Sequence, residues 1–230
     1  MKLMTVVLHC KKLTERYDHI HTELKSHGVT DYSIITEFDA DELKPCMISN
    51  FYVDDKIRFD ESAAVTLKKH GHTESIYRTL KKTEISLIFK HIAALRLFAR
   101  DPSYDALLVL EDDFCFDRGN VFQEIENLPD NWDVLFLGGA FDHNILSIKQ
   151  FIGDYILARH PATNTTSSIV YNQRSAKRTL DTITPFYLPL DWHLNDVYYR
   201  NNFNVYHSYP YICGQLSHRN NGFKGSIEHD

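Results

Sequence analysis

The chain has 230 residues, 43% of them hydrophobic and 24% charged, with a formal net charge of −6 and a pI near 6.1. That length fits one domain with a full core, and the composition excludes wholesale disorder. A nucleic-acid partner is disfavoured, because the longest basic clusters are pairs such as Lys68-Lys69 and Lys81-Lys82 rather than a stripe.

The opening apolar run is short and ends in His9, Cys10 and two lysines, so it reads as a first strand, not a signal peptide. No stretch approaches the length of a membrane span. Cys10, Cys46, Cys115 and Cys213 are scattered without paired spacing. The expectation is a reduced, cytoplasmic protein with neither a disulfide framework nor a zinc knuckle.

In chain order, Leu3 to His9 is a buried strand and a helix follows from about Thr14, as N-cap, to His27. Its apolar face is Leu13, Tyr17, Ile20 and Leu24, with Gly28 at the C-terminal stop. Val29 to Thr36 is the next strand, and strand–helix–strand order opens a parallel sheet of the nucleotide-binding kind. From Phe38 to about Lys82 the pattern weakens to a loop-rich excursion with one short helix near Glu61 to His70. A strong helix from Thr83 to Ala99 buries Ile85, Ile88, Phe89, Ile92 and Leu95.

Ala106 to Leu110 is a continuous apolar run of strand length that stops abruptly at Glu111-Asp112-Asp113. Such a strand is buried on both faces, and its carboxyl end is where an open α/β sheet presents ligands. A helix from Val121 to Asn127 and a strand from Asp133 to Leu137 lead to Gly138-Gly139. The last third holds a strand from Ser168 to Tyr171, helices from Ser175 to Asp181 and Leu190 to Arg200, and a strand from Asn204 to Tyr209. The tail from Gly214 is rich in Gly, Asn and Ser and is expected to wrap the site or to be mobile.

Glu111 and Asp113, two apart at the end of an extended segment, point the same way. Converging carboxylates repel unless a cation sits between them, and hard oxygen ligands suit Mg²⁺ or Mn²⁺. The alternative is a solvated acidic turn. His9, Lys11 and Arg16 follow the first strand, where nucleotide pockets form in such sheets.

The ordered blocks resemble family-25 glycosyltransferases, the lipopolysaccharide and collagen-type galactosyl- and glucosyltransferases. Leu8 to Arg16 is similar to that family's strand-to-helix Asn-Leu-x-Arg-Arg block, and Glu84 and His91 keep the spacing of its next block. Leu110-Glu111-Asp112-Asp113, then Trp132-Asp133 through Leu137-Gly138-Gly139, then Ser167 to Leu180 and Pro189-Leu190-Asp191 follow in family order. Lys12 and Leu13 stand where the family has two arginines, and Lys90 stands at its serine.

The resemblance implies an α/β fold: one GT-A-like domain with a Rossmann-like, mostly parallel sheet flanked by helices. Residues 1–140 would form a nucleotide-sugar donor half, and 141–230 the acceptor half and tail. It further implies a UDP-sugar donor, galactose or glucose favoured, a hydroxyl of a glycan or glycoprotein acceptor, Mn²⁺ or Mg²⁺, and inversion at the anomeric carbon. Glu111 and Asp113 are then the metal ligands, with His218 as a late third. His9, Lys11, Arg16, Glu84, His91, Asp112 and Lys224 face the donor, with Arg219 beside Lys224 in a closing tail, and Gly138 and Gly139 face the donor sugar or acceptor. Asp191 is the expected general base, with two alternatives open: Asp191 as a helix cap only, or Asp196 as the base. A non-catalytic sugar- or nucleotide-binding module of the same fold is the rival reading.

Overall fold

The computed structural model describes residues 1–54, 79–118, 121–139, 143, 146–163 and 165–218. The expected helix near residues 61–70 lies outside the described residues. In chain order the elements are β1 (Leu3–Leu8), α1 (Thr14–Ser26), β2 (Ser33–Ile35), α2 (Pro45–Ser49), α3 (Lys82–Ala99), β3 (Ala106–Glu111), β4 (Phe114–Phe116), α4 (Val121–Glu126), β5 (Val134–Phe136), β6 (Ser147–Ile152), β7 (Tyr155–Arg159), β8 (Ser168–Asn172), α5 (Gln173–Thr182), α6 (Leu190–Arg200), β9 (Val205–Ser208) and β10 (Cys213–Gln215).

Eight strands form one sheet in the order β2-β1-β3-β8-β5-β9-β7-β6, and β4 pairs separately with β10. β2, β1, β3, β5, β9 and β6 share a direction; β8 and β7 run against them. The sheet is therefore mostly parallel in direction, with an antiparallel strand from the second half of the chain set between β3 and β5.

Alternation along the strands sorts the core into two faces. Val6, Leu8, Leu107, Val109 and Phe136 pack under α3, α5 and α6. Val7, Leu108, Leu110 and Leu135 pack under α1 and α4. β3 is buried on both sides, which is why it reads as an unbroken apolar run. Each fully buried Val or Leu of this kind contributes roughly 1.5–3 kcal/mol.

α1 shows where periodicity misled. Thr14 is its first residue, not its cap, because Leu13 occupies the N-cap position. Tyr17 is 45% exposed, and Arg16 takes the inward stripe with Leu13, Ile20 and Leu24. The helix ends as expected: Gly28 has φ +75°, its N–H donates to Lys25 O, and the Val29 N–H donates to Leu24 O. That double closure needs a left-handed residue, which glycine adopts without a Cβ clash.

Candidate functional site

The parallel pairing of β1 with β3 aligns Leu8 with Glu111, so the next residues, His9 and Asp112, leave the sheet side by side. Asp112 Oδ2 accepts from His9 Nδ1 at 2.9 Å and from the Cys10 N–H at 3.0 Å, while Oδ1 accepts from Arg16 at 2.5 Å. Burial works to raise this carboxyl, but the His9 hydrogen bond, the Arg16 charge and the Cys10 N–H outweigh it and hold it below the usual carboxylate range. Asp112 thus ties the first helix to the acidic turn, and all three of its partners line the cleft beyond it.

Glu111 and Asp113 are held differently. Glu111 accepts from Thr166 Oγ1 at 2.5 Å and from Gln215 Nε2 at 3.3 Å. Asp113 Oδ2 accepts from Ser217, and its backbone carbonyl accepts the Leu216 N–H at 2.8 Å. Asp113 Oδ1 and Gln215 Oε1 are buried with no hydrogen-bond partner. Burial first, and then the charge of Asp113, pushes Glu111 up to about 8. The tail from Gly214 therefore wraps the acidic turn up to residue 218. Gly138 makes this possible: it bridges Cys213, and a Cβ there would stand 2.3 Å from the Cys213 carbonyl oxygen.

The facing wall comes from α3 and α6. Lys90, buried on α3, donates to the His9 carbonyl at 2.7 Å and to Asp39 at 2.8 Å. Glu84 lines the cleft while accepting the Lys81 N–H at 2.8 Å, the reciprocal half of a capping box. Asp191, half-buried in the first turn of α6, accepts the Trp192 N–H through Oδ1 at 2.9 Å. Burial pushes its carboxyl up to about 6. The Asn195 side chain holds the backbone of Ala162 and Thr163, and Thr163 donates to the Asp191 carbonyl, so one loop links α6 to the Thr166–Glu111 contact.

These groups enclose a cleft of about 560 Å³ at the carboxyl ends of β1 and β3, a size ordinary for a small-molecule site. It collects His9, Arg16, Glu84, Glu111, Asp112, Asp113 and Asp191 of the residues expected from sequence. Lys11 lies outside it, its ammonium exposed and paired with Glu42. His91 is fully buried against the Tyr171 hydroxyl at 2.9 Å, and burial pushes it down to about 3. Neither Gly138 nor Gly139 lines the cleft. Asp196 is buried and held by Tyr187 and Arg200, away from the lining. The backbone of His218 closes a single 3-10 turn, its side chain is not among the described groups, and Arg219 and Lys224 lie outside the described residues.

Sequence reading missed Lys90, Thr165, Thr166, Gln215 and Ser217 as lining groups. Lys90 carried a signal as the residue standing where the resembled family has a serine. Among the described residues, no three His, Cys, Asp or Glu side chains converge as a ready metal-ligand set.

The buried cations among the described residues are already engaged: Arg16 by Asp112 and, at 4.0 Å, by Asp113, and Lys90 by Asp39. With Glu111, Asp113 and Asp191 also lining it, the cleft holds more carboxyls than cations.

No protein-family model and no curated protein matches the chain, so the family-25 resemblance rests on the ordered motif blocks alone. Among solved structures, the chain is similar to A197 from STIV, with 11% identity over 91% of this chain and 82% of that one and a TM-score of 0.47. It is also similar to a glycosyltransferase involved in the glycosylation of the major capsid of PBCV-1, with 10% identity over 94% and 93% of the two chains and a TM-score of 0.46. At such identities and TM-scores the likeness bears on neither the residues nor the chemistry of the cleft.

Proposed function

We propose that the chain is an inverting, metal-dependent glycosyltransferase that moves a hexose from a UDP-sugar to a hydroxyl of a glycan or glycoprotein acceptor. One observation carries this reading: the cleft holds paired carboxylates at the β3 end and, on α6, a separate half-buried carboxyl poised at about 6.

The paired carboxylates fit a divalent cation. Asp113 Oδ1 and Gln215 Oε1 are orphaned buried oxygens beside Glu111, whose carboxyl is lifted by its surroundings. Glu111 and Asp113, with Gln215 as a neutral oxygen, are the residues that would hold Mn²⁺ or Mg²⁺. When bound, the cation supplies positive charge toward the diphosphate. Without it, an incoming diphosphate would meet a carboxyl-rich turn whose lining cations, Arg16 and Lys90, are already paired with carboxylates.

Asp191 does the proton work. Its carboxyl is held by the backbone N–H groups of Trp192 and of Asp191 itself, and a pKa near 6 leaves it mostly ionised at neutral pH yet still basic. It takes the proton of the acceptor hydroxyl while that oxygen attacks the anomeric carbon. The bond from that carbon to the diphosphate oxygen breaks on the opposite side, which inverts the centre. Arg16, His9 and Asp112 act by holding the β1 and β3 ends in register.

Release of UDP from UDP-galactose or UDP-glucose, with and without Mn²⁺ and with a panel of hydroxyl acceptors, tests the reading. Metal-dependent, acceptor-stimulated release supports it; tight nucleotide binding without any turnover points instead to a binding module.

A further inference from the structure

A second concavity, of about 480 Å³, lies where α2 and the loop before it cross the carboxyl-terminal half of α3. Phe89, Ala93, Arg96, Leu97 and Arg100 recur at helical spacing along one side of it. Phe38, Met47 and Phe51 form the other side. The floor is aromatic: Phe38 stacks on Phe89 at 5.8 Å and 21°, and Phe51 meets the same ring edge-on at 5.5 Å. Phe38 holds φ +69°, a left-handed conformation that a bulky residue rarely adopts.

Arg96 and Arg100 are exposed on the rim, and among the described residues neither has an ion pair or hydrogen bond. Like charges one turn apart on a helix repel each other. The last carbonyls of α3 offset part of that repulsion, but they do not account for an aromatic trough beneath the guanidiniums. In a chain of net charge −6, two unpaired arginines over an apolar floor are a local reversal of the overall balance. Apolar body and anionic head together answer both features.

We propose that this groove is a second binding site, for an amphipathic anion: an alkyl chain bearing one phosphate or carboxylate. The chain lies on Phe38, Phe51 and Phe89, and the head reaches Arg96 and Arg100. The site does not depend on the reaction proposed for the cleft, although the two are neighbours: Phe38 lines the groove, Asp39 holds Lys90, and Ala40 lines the cleft.

Cys46 supplies the test, because it lines the groove and is exposed, whereas Cys10 is half-buried and Cys115 and Cys213 are buried. Its alkylation rate is read with monobromobimane, using Cys46→Ser as the blank. Dodecyl phosphate, inorganic phosphate and dodecanol are the probes, all below the concentration at which they aggregate. Dodecyl phosphate at about ten times its Kd should slow labelling roughly tenfold. Inorganic phosphate should give no protection and dodecanol much less. The double variant Arg96→Gln/Arg100→Gln, changed only at exposed positions and checked for native circular dichroism, should weaken protection by dodecyl phosphate about tenfold and leave dodecanol unchanged. Equal protection by the alcohol and the phosphate would overturn the proposal, as would no protection by either or an unaltered double variant. Labelling that slows with protein concentration alone would also overturn it, because a second copy of the chain would then be the occupant.

Discussion

Arg16 on α1 donates to Asp112 at the carboxyl end of β3 across 96 residues of sequence, at 2.5 Å, with both side chains buried. This ion pair, reinforced by His9, fixes the corner of the cleft from which Glu111 and Asp113 project. Breaking one side leaves a buried, uncompensated charge. Arg16→Ala should therefore destabilise by roughly 3–5 kcal/mol, and Asp112→Ala added to it should recover part of that loss. Urea unfolding of the two single variants and the double variant checks this; a double variant as unstable as the sum of the singles would contradict it.

Gly138→Ala should destabilise by about 1–3 kcal/mol, because its Cβ would collide with the backbone of Cys213. The strain falls on β10, which carries Gln215 and leads into the turn that carries Ser217. Amide exchange should therefore quicken most at Cys213–Gln215, and uniform quickening across the sheet would show that the clamp is not local.

The pH dependence follows from two raised carboxyls. Glu111 moves from an ordinary 4.5 to about 8, and Asp191 from 3.8 to about 6, burial being the main cause in each. In both cases the native state binds the proton more tightly than the unfolded chain. The metal-free protein has this contribution in full below about pH 4 and loses it as pH rises to about 8. Melting temperature against pH in chelator should fall across that window, and Glu111→Gln should flatten the upper part of the fall. Mn²⁺ should restore stability most at the alkaline end, where Glu111 is ionised. A restoration independent of pH would remove Glu111 from the ligand set.

Asp191→Asn should lower turnover by a factor of ~10²–10⁴ while leaving nucleotide binding intact. Because ionised Asp191 costs stability at neutral pH, the variant should also be more stable there. In the unaltered protein, turnover should fall as pH drops through about 6, where Asp191 takes up its proton. Asp196→Asn should do the opposite, losing stability through Tyr187 and Arg200 with little direct effect on turnover. If Asp196→Asn is the inactive but stable variant, the assignment is reversed.

Much of this was legible in the sequence because local patterns and global packing agree. β3 announced itself by five apolar residues running into three acids, and Gly28 marked the stop of α1. What escaped reading depends on long-range pairing. Arg16 was expected to face the donor, and nothing local pointed to its carboxylate partner 96 residues further on. His91 looked like a site residue from its spacing, yet its ring meets Tyr171 in the core. The β6–β7 hairpin was missed because β6 is an edge strand whose central residues are exposed, so it lacks apolar alternation. β4 and β10 pair over about a hundred residues of chain, with no local signal at either end. Lys90 was noted as a departure from a motif, and its ion pair with Asp39 explains a cation on the buried side of α3.

Calorimetric titration with UDP, in Mn²⁺ and again in excess chelator, tests whether Glu111 and Asp113 hold a cation that receives a nucleoside diphosphate. Asp113→Asn serves beside the unaltered protein, since it keeps the side-chain shape and removes the charge. UDP should bind the unaltered protein in Mn²⁺, and binding should weaken by at least about tenfold, some 1.4 kcal/mol, in chelator or in the variant. Equal affinity with Mn²⁺ and with chelator, or an undiminished affinity in a folded Asp113→Asn, would contradict it.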